Sequence, residues 1–479
     1  TQLMEKRIRR ILMICSSYDA YILEEDGQID VQIQKEYSDL NISNPPSFSW
    51  VTTSEEAHTL LNKGEDFDLI ICMFNIGDMD VFSFARNLRE EGSQTPIVLL
   101  SNYSREFKNR IEQEDCSAIN YIFSWHGNAD LILAIVKLLE DTMNAEEDIL
   151  HSGVQCILLV EDSVRYYSTY LPAIYKLVLK QSAEFLKETL NDQQQKTRKR
   201  ARPKIFLATN YEDAVAHYEK YKKNLLGVIS DVGFILHKND PSDTEKLDAG
   251  IDLCRMIRDD DPQMPILLQS SQQSMSKVAR ELGVGFIMKD SKALLMKLSE
   301  YIGEEFAFGD FVVRNITTGE EIARAKNLRQ LQSLIKQIPD KELLYHTSRN
   351  RLSKWLFARG LFNLARPIRD AVPSDFENVS ELREFIIALI KEYRFVNGQG
   401  VIARFDKETY SRYITFARIG EGSLGGKARG LAFLNRLLVK YNLSHKYKGI
   451  FVTIPQTVVI AADYFDTFMV DNGLRYVVN

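Results

Sequence analysis

Five side chains in the middle of the chain carry the functional groups that can move a phosphoryl group onto a side chain. Each one ends a short apolar run or directly follows it: Glu161, Asp162, Asp231, Ser270 and Lys289. Carboxylate oxygens suit a hard cation such as Mg²⁺. A carboxylate nucleophile, a divalent metal, a hydroxyl and a lysine together favour phosphoryl transfer, because the metal and the lysine neutralise phosphate oxygens.

The apolar runs that carry these residues alternate with amphipathic stretches, which predicts a parallel sheet covered by helices on both faces. In a doubly wound sheet of strand order 2-1-3-4-5, the carboxyl ends of the first and third strands meet at the switch point where ligands bind. We therefore expect the acidic residues to converge there. The predicted strands are Cys156–Val160, Ile205–Ala208, Gly227–Ser230, Ile266–Gln269 and Gly285–Met288.

An earlier segment, residues 7–145, repeats this order of strands and helices. Its site positions differ, however. Cys15 and Ser16 replace the acidic pair, Met73 replaces the third-strand carboxylate and Ser124 replaces the lysine, while Ser101 keeps the hydroxyl. Methionine is not a phosphoryl acceptor, and a site without carboxylates has little means of holding Mg²⁺. The predicted strands are Ile11–Cys15, Leu69–Met73, Ile97–Leu100 and Tyr121–Phe123.

The later segment, residues 154–303, resembles the receiver domains of response regulators. The resemblance rests on Ile157-Leu-Leu-Val-Glu161-Asp162, Val228-Ile-Ser-Asp231, Pro265-Ile-Leu-Leu-Gln-Ser270 and Phe286-Ile-Met-Lys289. It implies a flavodoxin-like fold, phosphoryl acceptance by Asp231, and Mg²⁺ binding by Glu161, Asp162, Asp231 and the backbone carbonyl of Gly233. It also implies that Ser270 and Phe286 re-orient on phosphorylation. The donor would be a histidine kinase or a small phosphodonor, and the earlier segment would be a degenerate pseudo-receiver.

Beyond Gly303 the pattern changes to a mostly helical connector, predicted for residues 304–410. It is expected to contain a small hairpin that turns at Thr317–Gly319 and a helix over Leu343–Ala365. Two insertions, Asn191–Lys204 and His237–Leu247, are expected to lengthen loops. Several charged residues are expected to be solvated: Asp78, Asp80, the basic run Lys196–Arg202, Arg349, Arg351, Lys354 and Arg359.

The last segment, residues 411–479, opens with the glycine-rich run Gly420–Gly430, ahead of a predicted helix (Leu431–Tyr441) and a predicted strand (Ile450–Val452). Composition alone fits a flexible loop as well as a phosphate cradle. The run Gly425-Gly-Lys-Ala-Arg-Gly-Leu-Ala-Phe-Leu, followed by Ile454-Pro455, resembles the start of the nucleotide-binding domain of pyruvate phosphate dikinase and phosphoenolpyruvate synthase. That resemblance implies an ATP site at Gly425, Gly426 and Lys427, in a partial ATP-grasp-like segment of a longer polypeptide.

Composition is that of an ordinary globular protein, with 45% hydrophobic and 26% charged residues. The net charge of −6 implies no general surface for nucleic acids or membranes. The five cysteines form no C-x-x-C pair, which indicates free thiols in a reducing compartment. We therefore expect a cytoplasmic protein. DNA-binding output is not expected, because the sequence shows no convincing helix-turn-helix and no basic recognition helix after either receiver-like segment. The surface of the degenerate first segment is expected to support a homodimer formed through receiver surfaces.

The preferred hypothesis is signal input, in which phosphorylation of Asp231 regulates an attached phosphoenolpyruvate-synthase-like part. One alternative is a fragment of an ATP-dependent pyruvate phosphotransferase that carries accessory receivers. Another is a phosphorylation-independent scaffold. The fragment itself is not expected to complete the dikinase reaction.

Overall fold

The computed structural model describes residues 3–19, 21, 29–40, 42, 44–102, 105–125, 127, 129–186, 198–238, 240–241, 244–398, 401–405, 407, 413–441, 443 and 446–474. Contacts divide the chain into two compact units. The first unit contains both five-stranded sheets and ends near Gly309, with a short later piece at Phe357–Gly360. Most of the remaining chain forms the second unit. The four domain boundaries set out above stay predictions.

The earlier segment forms a five-stranded parallel sheet of order β2-β1-β3-β4-β5. Strands β1, β3 and β4 are apolar and buried along nearly their whole length, as expected for a sheet covered on both faces. The strands are β1 (Arg10–Ile14), β2 (Ser47–Val51), β3 (Leu69–Met73), β4 (Ile97–Ser101) and β5 (Tyr121–Ser124). The helices are α1 (Ile29–Asp39), α2 (Ser54–Asn62), α3 (Val81–Glu90), α4 (Arg105–Gln113) and α5 (Ala129–Ala145), which continues as a π-helical turn (Glu146–His151).

The later segment repeats the same topology, with β7-β6-β8-β9-β10 as its parallel order. The doubly wound, flavodoxin-like architecture predicted for both segments is therefore confirmed. Its strands are β6 (Cys156–Val160), β7 (Lys204–Ala208), β8 (Leu225–Asp231), β9 (Ile266–Ser270) and β10 (Gly285–Met288). Its helices are α6 (Val164–Leu186), α7 (Tyr211–Tyr221), α8 (Ala249–Asp260), α9 (Met275–Glu281) and α10 (Leu294–Glu305).

The two segments pack together through a cluster of buried charges. Asp141, near the end of α5, is fully buried and accepts hydrogen bonds from Arg202 (2.9 Å) and Tyr175 (2.8 Å) of the later segment. Nearby, the ammonium of Lys204 lies 2.7 Å from the Asp148 carboxylate. The expectation that the whole basic run is solvated is wrong for Arg202, because this guanidinium pairs with the neighbouring segment. Residues 187–197, which include much of that insertion, lie outside the described part.

The second unit combines a hairpin, a helical group and a small sheet. The hairpin turns at the predicted Thr317–Gly319, and the strands β13, β14 and β15 are parallel. The strands are β11 (Phe311–Arg314), β12 (Glu321–Ala325), β13 (Ile402–Arg404), β14 (Phe416–Ile419) and β15 (Thr457–Ile460). The helices are α11 (Leu328–Gln337), α12 (Asp340–Ser348), α13 (Arg351–Ala358), α14 (Phe362–Asp370), α15 (Val379–Gly398), α16 (Gly426–Lys440) and α17 (Ala462–Asp471).

Arg359 also departs from the solvated position predicted for it. Its side chain is 3% exposed and donates to the carbonyls of Ala307 (3.2 Å) and Gly309 (2.8 Å). A buried guanidinium needs such acceptors, because an unpaired buried charge is costly. Within the described residues, no helix combines the length and apolar character that crossing a membrane requires.

Candidate functional site

The ends of β6 and β8 bring three carboxylates to one edge of the second five-stranded sheet. Glu161 directly follows β6, and its N–H donates to the Ala208 carbonyl (3.0 Å). Strand β8 pairs with β6 and ends with Asp231 itself. One oxygen of each of Glu161, Asp162 and Asp231 lies within 4.8 Å of the others. This convergence is the one expected from the strand order.

Lys289 reaches this cluster from the far side of β9. It directly follows β10, and its backbone N–H donates to the Ser270 carbonyl (3.0 Å). Its ammonium lies 2.7 Å from the Glu161 carboxylate and 2.5 Å from the Asp231 carboxylate. The other Asp231 oxygen accepts from the Val232 N–H (2.7 Å). These two contacts fix the plane of the Asp231 carboxylate.

Burial makes the ionised forms of these carboxylates unfavourable, despite the single lysine. Burial, together with Glu245 and Asp231, raises the pKa of Asp162 to about 7. Burial and the Asp231 charge raise the pKa of Glu161, while burial raises the pKa of Asp231 against the opposing effect of Lys289. Such crowding of like charges favours binding of a cation.

The other residues predicted for this site lie on the neighbouring strand ends. Ser270 ends β9, and its hydroxyl accepts from the Gln272 N–H (3.1 Å). Phe286 lies within β10 and is partly buried, and Gly233 follows Asp231 by two residues in the loop after β8. Their assigned roles, in switching and in metal binding through the Gly233 carbonyl, stay predictions.

The structure adds two contributors that sequence reasoning missed. The ring of Tyr166, on the first turn of α6, has its centroid 4.3 Å from the Lys289 ammonium. Glu245, from the predicted insertion His237–Leu247, raises the pKa of Asp162 by its charge. Neither residue follows a buried strand, which was the signal that identified the rest of the site. Residues 239, 242 and 243 of that insertion lie outside the described part.

The matching edge of the first sheet has different chemistry. Met73 ends β3 and is buried. Asp78 accepts from the Ser54 N–H (2.7 Å) at the start of α2, and Asp80 accepts from the Ser83 N–H (3.0 Å) at the start of α3. Asp78 is exposed and Asp80 is half-buried, so both keep contact with solvent, and in addition their carboxylates satisfy unpaired amides at helix starts.

The glycine-rich run follows β14 and continues into the start of α16, and its two halves differ. The Glu421 N–H donates to the Asp463 carboxylate (2.8 Å), and a Cβ atom on Gly420 would lie 2.5 Å from an Asp463 oxygen. A side chain on Gly425 or Gly426, in contrast, would meet no atom within 4 Å. The first half is therefore closed by a carboxylate of the same unit, and the second half is open at the start of α16.

Among the residues that the structure describes, Glu161, Asp162 and Asp231 are the only group of three or more side chains placed to hold a metal ion. Their donors are all carboxylate oxygens, which fit Mg²⁺ better than soft or borderline metals. The corresponding positions of the first sheet, Cys15, Ser16 and Met73, are unsuited to it.

Comparison with known proteins finds no matching family model and no matching curated protein. Among solved structures, the Francisella response regulator 1452 receiver domain is 20% identical, over 28% of this chain and 98% of that one, with a TM-score of 0.21. A two-component system response regulator/GGDEF domain protein is 15% identical, over 61% of this chain and 98% of that one, with a TM-score of 0.27. Both TM-scores are below 0.5, so these similarities carry no argument, and the doubly wound fold rests on the strand order of the two sheets themselves.

Proposed function

We propose that the second five-stranded domain receives a phosphoryl group on Asp231 and acts as the input of a phosphorelay. The observation that carries this proposal is the convergence of the three carboxylates with the Lys289 ammonium. Isolated acidic pairs at strand ends are common, but a buried lysine that bridges two of the three carboxylates is a specific arrangement. A histidine kinase or a small phosphodonor would supply the group.

In the proposed reaction, an ionised oxygen of Asp231 attacks the phosphorus atom of the donor. The new bond joins this oxygen to phosphorus, while the bond from phosphorus to the leaving group breaks and the leaving group takes the electron pair. Mg²⁺ bound by Glu161, Asp162 and Asp231 would neutralise charge on the phosphoryl oxygens. Lys289 pairs with the incoming phosphoryl oxygens as it leaves the carboxylate, and the Val232 N–H keeps the carboxylate oriented.

We expect the protein, incubated with acetyl phosphate and Mg²⁺, to gain the mass of one phosphoryl group. The adduct should be lost on treatment with hydroxylamine, which cleaves acyl phosphates, and should not form when EDTA removes the metal. Asp231→Asn should form no adduct, because an amide cannot make this bond. Intact mass spectrometry measures all of these outcomes.

Asp259→Asn provides the matched control, because Asp259 is an exposed aspartate in α8. It should be phosphorylated like the natural sequence. An adduct on Asp231→Asn, or none on the natural sequence, would contradict the proposal and would leave a scaffold function as the better explanation.

We also propose that the open half of the glycine-rich run binds the phosphates of ATP, and that phosphorylation of Asp231 regulates this part. Support comes from the position of the run at the carboxyl edge of β14, where parallel sheets commonly bind ligands. Lys427 is exposed in the first turn of α16 and can supply a positive charge.

Titration calorimetry with Mg·ATP tests this second site. Lys427→Gln is expected to weaken binding roughly tenfold, because a charged hydrogen bond contributes about 1.5 kcal/mol. Lys440→Gln, at the other end of the same helix, is the control and should bind as the natural sequence does. Equal affinities for both variants would exclude Lys427 as a phosphate contact.

A further inference from the structure

The lysine at the centre of the acidic pocket is held from two sides. On one side its ammonium contacts Glu161 and Asp231, and on the other the ring face of Tyr166 lies 4.3 Å away. The Lys289 side chain is 5% exposed. A cation over an aromatic face is attracted by the negative face of the ring, and this attraction strengthens when water is excluded.

Tyr166 is itself fixed by the packing of α6. Its ring stacks on Tyr170, with centroids 5.9 Å apart, and Tyr170 is fully buried. The next two residues anchor the same turn to the earlier five-stranded segment, residues 7–145, which is called the first domain from here on. The Tyr167 hydroxyl donates to the Ile122 carbonyl, and the Ser168 hydroxyl accepts from the Ser124 N–H (2.9 Å).

The lysine has to move during the proposed reaction. As the bond between an Asp231 oxygen and phosphorus forms, this carboxylate loses its full negative charge and the new phosphoryl oxygens attract the ammonium. The bond from phosphorus to the leaving group breaks at the same time. A side chain that leaves one carboxylate must remain near the pocket to neutralise these oxygens.

We propose that Tyr166 is a positioning residue that keeps the Lys289 ammonium in the pocket during phosphoryl transfer, and that the first domain holds Tyr166 in place through Tyr167 and Ser168. This inference rests on the proposed phosphorylation of Asp231. Tyr166 acts through Lys289 and makes no bond to the transferred group. The first domain lacks the three carboxylates of the metal site, yet it thereby contributes to the chemistry of the second domain.

The test compares Tyr166→Phe, which keeps the aromatic face, with Tyr166→Leu, which keeps only apolar bulk. The measured quantity is the rate of adduct formation from acetyl phosphate and Mg²⁺ in the full chain. Tyr166→Leu should be slower by between about twofold and about thirtyfold, the range expected for a cation–π contact. Tyr166→Phe should react at nearly the natural rate.

If Tyr166 had only a structural role, the phenylalanine and leucine variants would react at the same rate whenever they are equally stable.

A second measurement is independent of activity. The Lys289 ε-methylene protons should show a ring-current shift in NMR spectra of the natural sequence and of Tyr166→Phe, and lose it in Tyr166→Leu. Equal rates in all three proteins, or no ring-current shift in the natural sequence, would overturn the inference.

The double variant Tyr167→Phe, Ser168→Ala tests the part assigned to the first domain. It should react at a rate between those of the natural sequence and Tyr166→Leu, and an unchanged rate would overturn this part. If the natural sequence forms no adduct at all, the proposed function fails instead. The NMR shift of Lys289 still measures the contact with Tyr166 in that case.

Discussion

Replacing Asp141 with alanine is expected to lower the free energy of unfolding of the first unit by about 3–5 kcal/mol, because it leaves buried cations without their partner. Asp141 is 0% exposed. Its carboxylate lies 2.7 Å from one Arg202 nitrogen and accepts from the Ile205 N–H (3.0 Å) as well as from Tyr175. Urea denaturation followed by far-ultraviolet circular dichroism measures the change.

Asp130→Ala is the matched control for this experiment. Asp130 lies on the same helix α5 and also bridges to α6, through Lys176 at 2.8 Å, but the lysine of this pair is 44% exposed. Exposed ion pairs contribute at most about 1 kcal/mol, so this variant should remain close to the natural stability. Similar losses in both variants would show that burial does not set the importance of the Asp141 contacts.

A second large effect is expected at Gly250, in the first turn of α8. A Cβ atom at this position would lie 2.0 Å from the Asp231 carbonyl oxygen, so Gly250→Ala must push the helix away from β8 or displace the backbone of Asp231. Overpacking of this kind costs about 1–3 kcal/mol. If Asp231 is phosphorylated as proposed, the variant should also gain the phosphoryl group more slowly than the natural sequence, because the Asp231 carboxylate is displaced.

Gly303→Ala is the corresponding control, since a side chain on Gly303 would meet no atom within 4 Å. Gly303 lies within α10, where alanine should stabilise the helix by about 0.5–1 kcal/mol relative to glycine. Urea denaturation measures stability, and intact mass spectrometry over time measures phosphate uptake. A Gly250→Ala protein as stable as Gly303→Ala would contradict the close approach of α8 to β8.

The main architecture could be predicted because buried parallel strands leave a strong local signal. Runs such as Leu69–Met73 and Cys156–Val160 are uniformly apolar, and their observed bounds are those predicted. The positions of Glu161, Asp162 and Asp231 follow from the same signal, because each lies where such a run ends. Strand β2 was missed, since only the last residue of Ser47–Val51 is buried and the strand mixes polar with apolar residues.

Errors arose where backbone geometry or long-range contacts decide the structure. The single helix predicted for Leu343–Ala365 is three helices, because Asn350 (φ 54°) and Gly360 (φ 69°) adopt left-handed conformations that interrupt it. The strand predicted at Ile450–Val452 is wrong, and the apolar run at Thr457–Ile460 pairs with β14 instead. The partners of Arg202 and Tyr166 lie far away in sequence and leave no local pattern.

The buried charges that join the two sheets have a consequence for protein engineering and for recombination between genes. A cut between the sheets, anywhere from Ala145 to Cys156, would separate Asp141 from Arg202 and expose the surface that buries this ion pair to solvent. Either sheet transplanted alone would therefore expose charged groups that the other sheet normally covers and neutralises. The part of the chain that can be moved into another protein as one piece is therefore the pair of sheets together.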